Sequence, residues 1–120
     1  MKYTKVTLQN GLRLVMITGL SSNAVTITAY IRGGFRFDPP NRSGLSHFTE
    51  HIIFRLKSND LAQAVERHGG WSSAFTWIEH QEHMVHLPKE NFEDGIKLIL
   101  GHILRTSITK SEVEKEKGVV

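Results

Sequence analysis

The 120 residues carry 39% hydrophobic and 22% charged side chains, a balance ordinary for one globular domain with a core of modest size. A net charge of +3, spread without a run of like charge, points to neither nucleic acid nor an acidic membrane surface. No cysteine is present, which excludes disulfides and thiolate metal sites and leaves histidine and carboxylate as the metal ligands.

The first elements read as strands. Residues 3–8 and 12–17 flank Asn10-Gly11, a two-residue hairpin turn signal. Residues 24–32 alternate cleanly, with Val25, Ile27, Ala29 and Ile31 on one face and Thr26, Thr28 and Tyr30 on the other. Gly33-Gly34 closes that strand, and Asp38-Pro39-Pro40-Asn41 cannot continue regular structure. A helix over 44–56 follows. Lys57-Ser58-Asn59 ends it, and Ser58 or Asn59 is the expected cap of a short helix running through His68, stopped by Gly69. Strands are predicted over 71–75 and 82–87, the latter ended by Pro88. Phe92, Ile96, Ile99, Leu100 and Ile103 then recur at helical spacing as a core-facing stripe, with Asn91 as cap. Ser111-x-x-Glu114 reads as a capping box opening a last helix. Hairpins outnumber crossover units. The fold class is therefore α+β, a mostly antiparallel sheet with helices packed on one face, and residues 1–120 form a single domain.

The chemistry concentrates in the helix over 44–56. On a helix His47 and His51 share a face one turn apart, and Glu50 projects close to both. Two imidazoles so spaced can hold Zn²⁺ and leave positions for a third ligand and a water. A carboxylate beside that ion can take a proton from the attacking water and return it to a leaving amine. The order His-x-x-Glu-His is the inverted zinc-peptidase pattern. Phe48, Ile52 and Ile53 make the helix a packed one, where such a polar cluster is costly unless a metal or hydrogen bonds satisfy it. The other five histidines, His68, His80, His83, His86 and His102, are expected to be solvated or locally hydrogen-bonded, without an auxiliary metal site.

The stretch Gly44-Leu45-Ser46-His47-Phe48-Thr49-Glu50-His51-Ile52-Ile53-Phe54, preceded by Gly33-Gly34 and its loop, resembles the opening of the pitrilysin-type (M16) metallopeptidases. Gly69-Gly70-Trp71-Ser72-Ser73-Ala74-Phe75-Thr76 resembles that family's Gly-Gly-x-x-Asn-Ala-Tyr/Phe-Thr strand. Residues 112–120 resemble the helix that carries its third zinc ligand. The resemblance implies the first part of an M16-like α/β catalytic domain, with His47 and His51 as zinc ligands and Glu50 as general base. It implies an edge strand bearing Ser73 and Phe75 against the substrate backbone, with Ser73 where the family usually has asparagine. Glu116 falls on the earlier glutamate of the family's pair, a supporting carboxylate. The ligand itself is due two helical turns later, past Val120, so the chain reads as an amino-terminal fragment unless Glu116 or Glu112 substitutes.

The activity so implied is zinc-dependent endopeptidase cleavage of unfolded peptides or presequences. The alternative is a non-catalytic scaffold or core subunit of the same fold, which has no reason to keep His47, Glu50 and His51 together. The isolated 120 residues are expected to be nearly inactive, to need the remaining half-domains or a partner subunit, and to self-associate through an open sheet edge. Peptide is the expected partner, not nucleic acid or membrane. With no signal-peptide core, a soluble cytoplasmic or organelle-matrix location is expected. Glu79, at a position where the family often has glutamate, divides evenly between an exposed turn residue and a site role. His83 or Met84 occupies the family's aromatic position, and Arg32, Arg36 and Arg42 read as surface or local salt-bridge residues.

Overall fold

The computed structural model describes residues 1–55, 60–104 and 107–119. β1 (Lys2–Thr7) and β2 (Arg13–Thr18) pair antiparallel around Asn10-Gly11, with Tyr3 opposite Ile17 and Val6 opposite Leu14. Gly11 takes φ +87°, the left-handed backbone such a turn needs. This hairpin is a two-stranded sheet of its own among the described residues. A second, three-stranded antiparallel sheet has the order β3-β5-β4, built from β3 (Ala24–Ile31), β4 (Trp71–Thr76) and β5 (Gln81–Pro88). β5 lies in the centre, with Ile27 opposite Val85 and Ala74 opposite His83.

Helices α1 (Leu45–Arg55), α2 (Leu61–Arg67) and α3 (Phe92–Leu104) cover the face of this sheet that carries Gln81, His83, Val85 and Leu87, all buried. The core joins Leu61 and Val65 of α2, Val85 and Leu87 of β5 and Ile99 of α3. Each such side chain contributes roughly 1.5–3 kcal/mol by leaving water. The architecture is α+β, antiparallel, with helices on one face, as its pattern of elements predicts. No helix among the described residues is long and apolar enough to cross a membrane.

Local expectations shift in four places. The predicted stripe of α3 is rotated: Phe92 and Leu100 are exposed, while Gly95, Ile99 and His102 are buried. Gly95 is the reason, since a Cβ there would meet Leu87 Cδ1 at 2.5 Å and Ile27 Cδ1 at 2.7 Å, so its lack lets the helix sit close on the sheet. Asn91 is not the cap of α3; its side chain donates to the His68 carbonyl at 2.9 Å. Asp60 caps α2, accepting from the Gln63 amide at 3.1 Å, whereas the predicted caps Ser58 and Asn59 lie outside the described residues. The capping box of α4 (Lys110–Lys117) is Thr109 with Glu112, two residues ahead of the one predicted.

Candidate metal centre

α1 is placed by the loop before it. After β3, the Phe35 and Arg36 amides donate to the Trp77 and Ile78 carbonyls at 3.0 and 2.8 Å, fastening that loop to the β4–β5 turn. Gly34 makes this approach possible, because a Cβ there would stand 2.2 Å from the Trp77 carbonyl oxygen. The same fastening brings Asp38 to the start of α1. Its carboxylate accepts from the Gly44 amide at 2.7 Å, the Ser46 amide at 2.9 Å and the Ser46 hydroxyl at 2.6 Å. Those are amide donors that a helix start leaves open, and a negative charge there is favourable to the helix dipole. The Ser46 hydroxyl, more than the amides, holds the Asp38 carboxyl below its ordinary value. Gln81 of β5 adds a second tie, donating to the Ser46 carbonyl at 2.6 Å.

On α1 so held, His47, Glu50 and His51 form a cluster whose ligand atoms all lie within 4.8 Å of one another. The two Nε2 atoms face each other at 3.0 Å. His51 Nδ1 lies 2.8 Å from Glu116 Oε1 of α4. A carboxylate accepts, so Nδ1 is the protonated nitrogen and the lone pair of His51 Nε2 is aimed at His47. Glu50 is buried, 7% exposed, and accepts from the Thr76 hydroxyl of β4 at 3.1 Å.

The donor set fits a small divalent ion. Two nitrogens 3.0 Å apart are close to the roughly 3.3 Å between neighbouring ligands of a tetrahedral ion with bonds of about 2.0–2.1 Å. A carboxylate behind a ligating histidine is the usual means of fixing its tautomer and ring orientation. Glu116 faces Nδ1 instead of the gap between the Nε2 atoms, so it stands behind His51. Glu112 is taken up at the start of α4, where it accepts from the Thr109 amide at 2.8 Å and hydroxyl at 2.7 Å. The Thr109 hydroxyl holds the Glu112 carboxyl below its ordinary value. Neither glutamate is placed as a third ligand.

Two adjoining hollows, of about 240 and 430 Å³, meet at Glu50, His51 and Ala74. Ser73 lines the first with Ser72, Phe54 and Arg55. Phe75 lines the second with Phe35, Thr76 and Trp77. β4, which carries both, pairs with β5 along one edge only among the described residues. Glu79 lies outside this cluster, exposed and ion-paired to Arg36. Arg32 stacks over the Phe37 ring at 5.3 Å.

The spare histidines divide. His68 Nδ1 bonds the Ala64 carbonyl at 2.8 Å and His86 Nδ1 the Thr26 hydroxyl at 2.8 Å, both local contacts as expected. His83 corrects the expectation of a solvated or locally bonded ring. It is 0% exposed and lies in the core between β5 and α3, its ring centroid 5.4 Å from that of His102, which is 3% exposed and so not solvated either. Burial, and secondarily charge on His102, pushes the His83 pKa down to about 4. Sequence reading also missed Thr76 as partner of Glu50, Asp38 as anchor of α1, and Arg55 beside Glu116 (3.5 Å).

Fold and cluster together define an α+β domain with a candidate metal centre of two histidines and a carboxylate on one helix, set beside an edge strand. The family model for insulinase, peptidase family M16, matches residues 14–120, and the chain belongs to that family. It is 29% identical to "Uncharacterized zinc protease YmxG" of Bacillus subtilis (strain 168), over 97% of this chain and 29% of that one. It is 31% identical to the insulin-degrading enzyme of Homo sapiens, over 99% of this chain and 12% of that one. A crystal structure of a protease from Helicobacter pylori superposes with a TM-score of 0.89 at 25% identity, covering 98% of this chain and 30% of that one. The chain thus spans less than a third of each of these relatives.

Proposed function

We propose that this chain is the amino-terminal part of the catalytic domain of a zinc-dependent endopeptidase, with His47 and His51 as metal ligands and Glu50 as general base. The observation that carries the reading is the pair of Nε2 atoms facing each other at 3.0 Å with the Glu50 carboxylate in the same cluster. When bound, zinc supplies Lewis acidity, polarising the scissile carbonyl and lowering the pKa of the attacking water. His51 is held by Glu116 with its Nε2 lone pair free for the ion, and His47 meets it from one turn earlier. Glu50 takes the proton of the attacking water and delivers it to the departing amine. Its burial and the Thr76 hydroxyl restrict the carboxylate to one position for both transfers. The open edge of β4 can pair with an extended peptide, its side chains entering the hollows beside Ser73 and Phe75. Unfolded peptides or presequences are the substrates that such pairing admits. A third protein ligand and the rest of the cleft come from outside these 120 residues, in further domains or a partner subunit.

Glu50→Gln tests this in the intact protein. Peptide hydrolysis should fall about 10²–10⁴-fold with zinc content retained. Unchanged hydrolysis by the variant would remove Glu50 as base, whereas a parent protein that hydrolyses no peptide would leave the non-catalytic scaffold as the better reading.

A further inference from the structure

We infer that Arg55 is a positioning residue of the metal centre, acting through Glu116 on His51. The inference rests on the zinc reading above. His47, His51 and Arg55 stand at successive four-residue steps of α1 and so share one face of the helix. The first two offer their Nε2 atoms to each other. The third reaches across to α4, where its Nη1 lies 3.5 Å from Glu116 Oε1. That is the same oxygen that accepts from His51 Nδ1 at 2.8 Å. One carboxylate oxygen therefore joins the ligand's ring to a guanidinium one turn further along the same helix.

The packing of α4 shows why this junction matters. Its sequence, Lys-Ser-Glu-Val-Glu-Lys-Glu-Lys, offers Val113 as the sole apolar side chain, and Val113 is only half-buried. The one buried residue of α4 is Glu116, at 8% exposure. The contact between α4 and α1 is thus centred on a charge, and a covered carboxylate is costly unless opposite charge and hydrogen bonds compensate it. His51 supplies one hydrogen bond. Arg55, its side chain 54% exposed, supplies the opposite charge from the solvent side. Without Arg55, Glu116 has less reason to stay in the α1–α4 contact, and His51 loses the partner that fixes its ring and tautomer.

Three variants of the intact protein test this, read by zinc affinity in competition with a chelator. Arg55→Ala should weaken zinc about tenfold or more, the usual scale for losing support behind a ligand. Arg55→Lys, which keeps the charge but not the planar fork, should stay within about threefold of the parent. In a Glu116→Gln background, Arg55→Ala should have no further effect, because its action passes through that carboxylate. In ¹⁵N-histidine-labelled protein, the His51 Nδ1 proton should exchange faster with water after Arg55→Ala and recover in Arg55→Lys. Zinc affinity within twofold of the parent in Arg55→Ala, or an equal loss on top of Glu116→Gln, overturns the inference. His47→Ala separates the two readings. If it abolishes zinc binding while Arg55→Ala changes nothing, the inference fails alone; if it leaves zinc bound, the metal assignment fails and the inference with it.

Discussion

His83 makes the protein acid-sensitive in a window of its own. Its ring is fully buried on β5 against His102, and neither ring nitrogen has a hydrogen-bond partner among the described residues. The folded state therefore prefers the neutral ring, with a pKa of about 4 against an ordinary 6.5. Between these values the unfolded chain binds more protons than the folded one, so stability rises with pH. The contribution is complete above about pH 6.5 and lost as pH falls toward about 4. Each pH unit in that window costs about 1.4 kcal/mol, which gives roughly 2 kcal/mol at pH 5 and about 3 kcal/mol in full. Asp38 and Glu112 act in the same sense, but their lowered carboxyl pKa values begin to cost stability only as pH falls through the ordinary carboxylate range. Urea unfolding of the metal-free protein at pH 7 and pH 5 separates the groups. His83→Leu, an apolar replacement of similar size, should cut the loss between the two pH values by about 2 kcal/mol. Equal losses in parent and variant would refute the assignment and move the titrating group elsewhere.

Two further substitutions probe the scaffold around the site. Thr76→Val removes the hydroxyl that Glu50 accepts, and should lower kcat about tenfold with KM and zinc content little changed; an unaltered kcat would take Thr76 out of the account. Gly34→Ala drives a Cβ onto the Trp77 carbonyl and should cost about 2–3 kcal/mol in urea unfolding, whereas a neutral result would mean the loop yields easily.

Much of this was legible before any coordinates. The spacing of His47, Glu50 and His51 placed three ligand-type side chains on one helix face, because four residues is nearly one turn. The alternation of 24–32 and the Asn10-Gly11 turn gave the strands and the hairpin with ends shifted by about one residue. The assignments that failed share a cause, namely that the chain offered equivalent local choices and tertiary contact decided among them. Thr109-x-x-Glu112 and Ser111-x-x-Glu114 are both capping boxes, and only one opens α4. The buried face of β5 reads Gln81, His83, Val85, Leu87, half of it polar, so hydropathy gave no sign that His83 was core. The anchoring of α1 by Asp38 was invisible for another reason: it precedes Ser46 by eight residues and reaches it only because Gly34 lets the loop close on the β4–β5 turn. Arg55 and Glu116 are 61 positions apart, and nothing in either's local sequence pairs them.

The most direct test of the account is zinc stoichiometry and affinity in the intact protein, its His51→Ala variant and its Glu50→Gln variant. The account predicts one tightly bound zinc per chain, lost in His51→Ala and kept in Glu50→Gln. Tight zinc unaffected by His51→Ala would contradict it and return His47, Glu50 and His51 to the role of a hydrogen-bonded cluster on a packed helix.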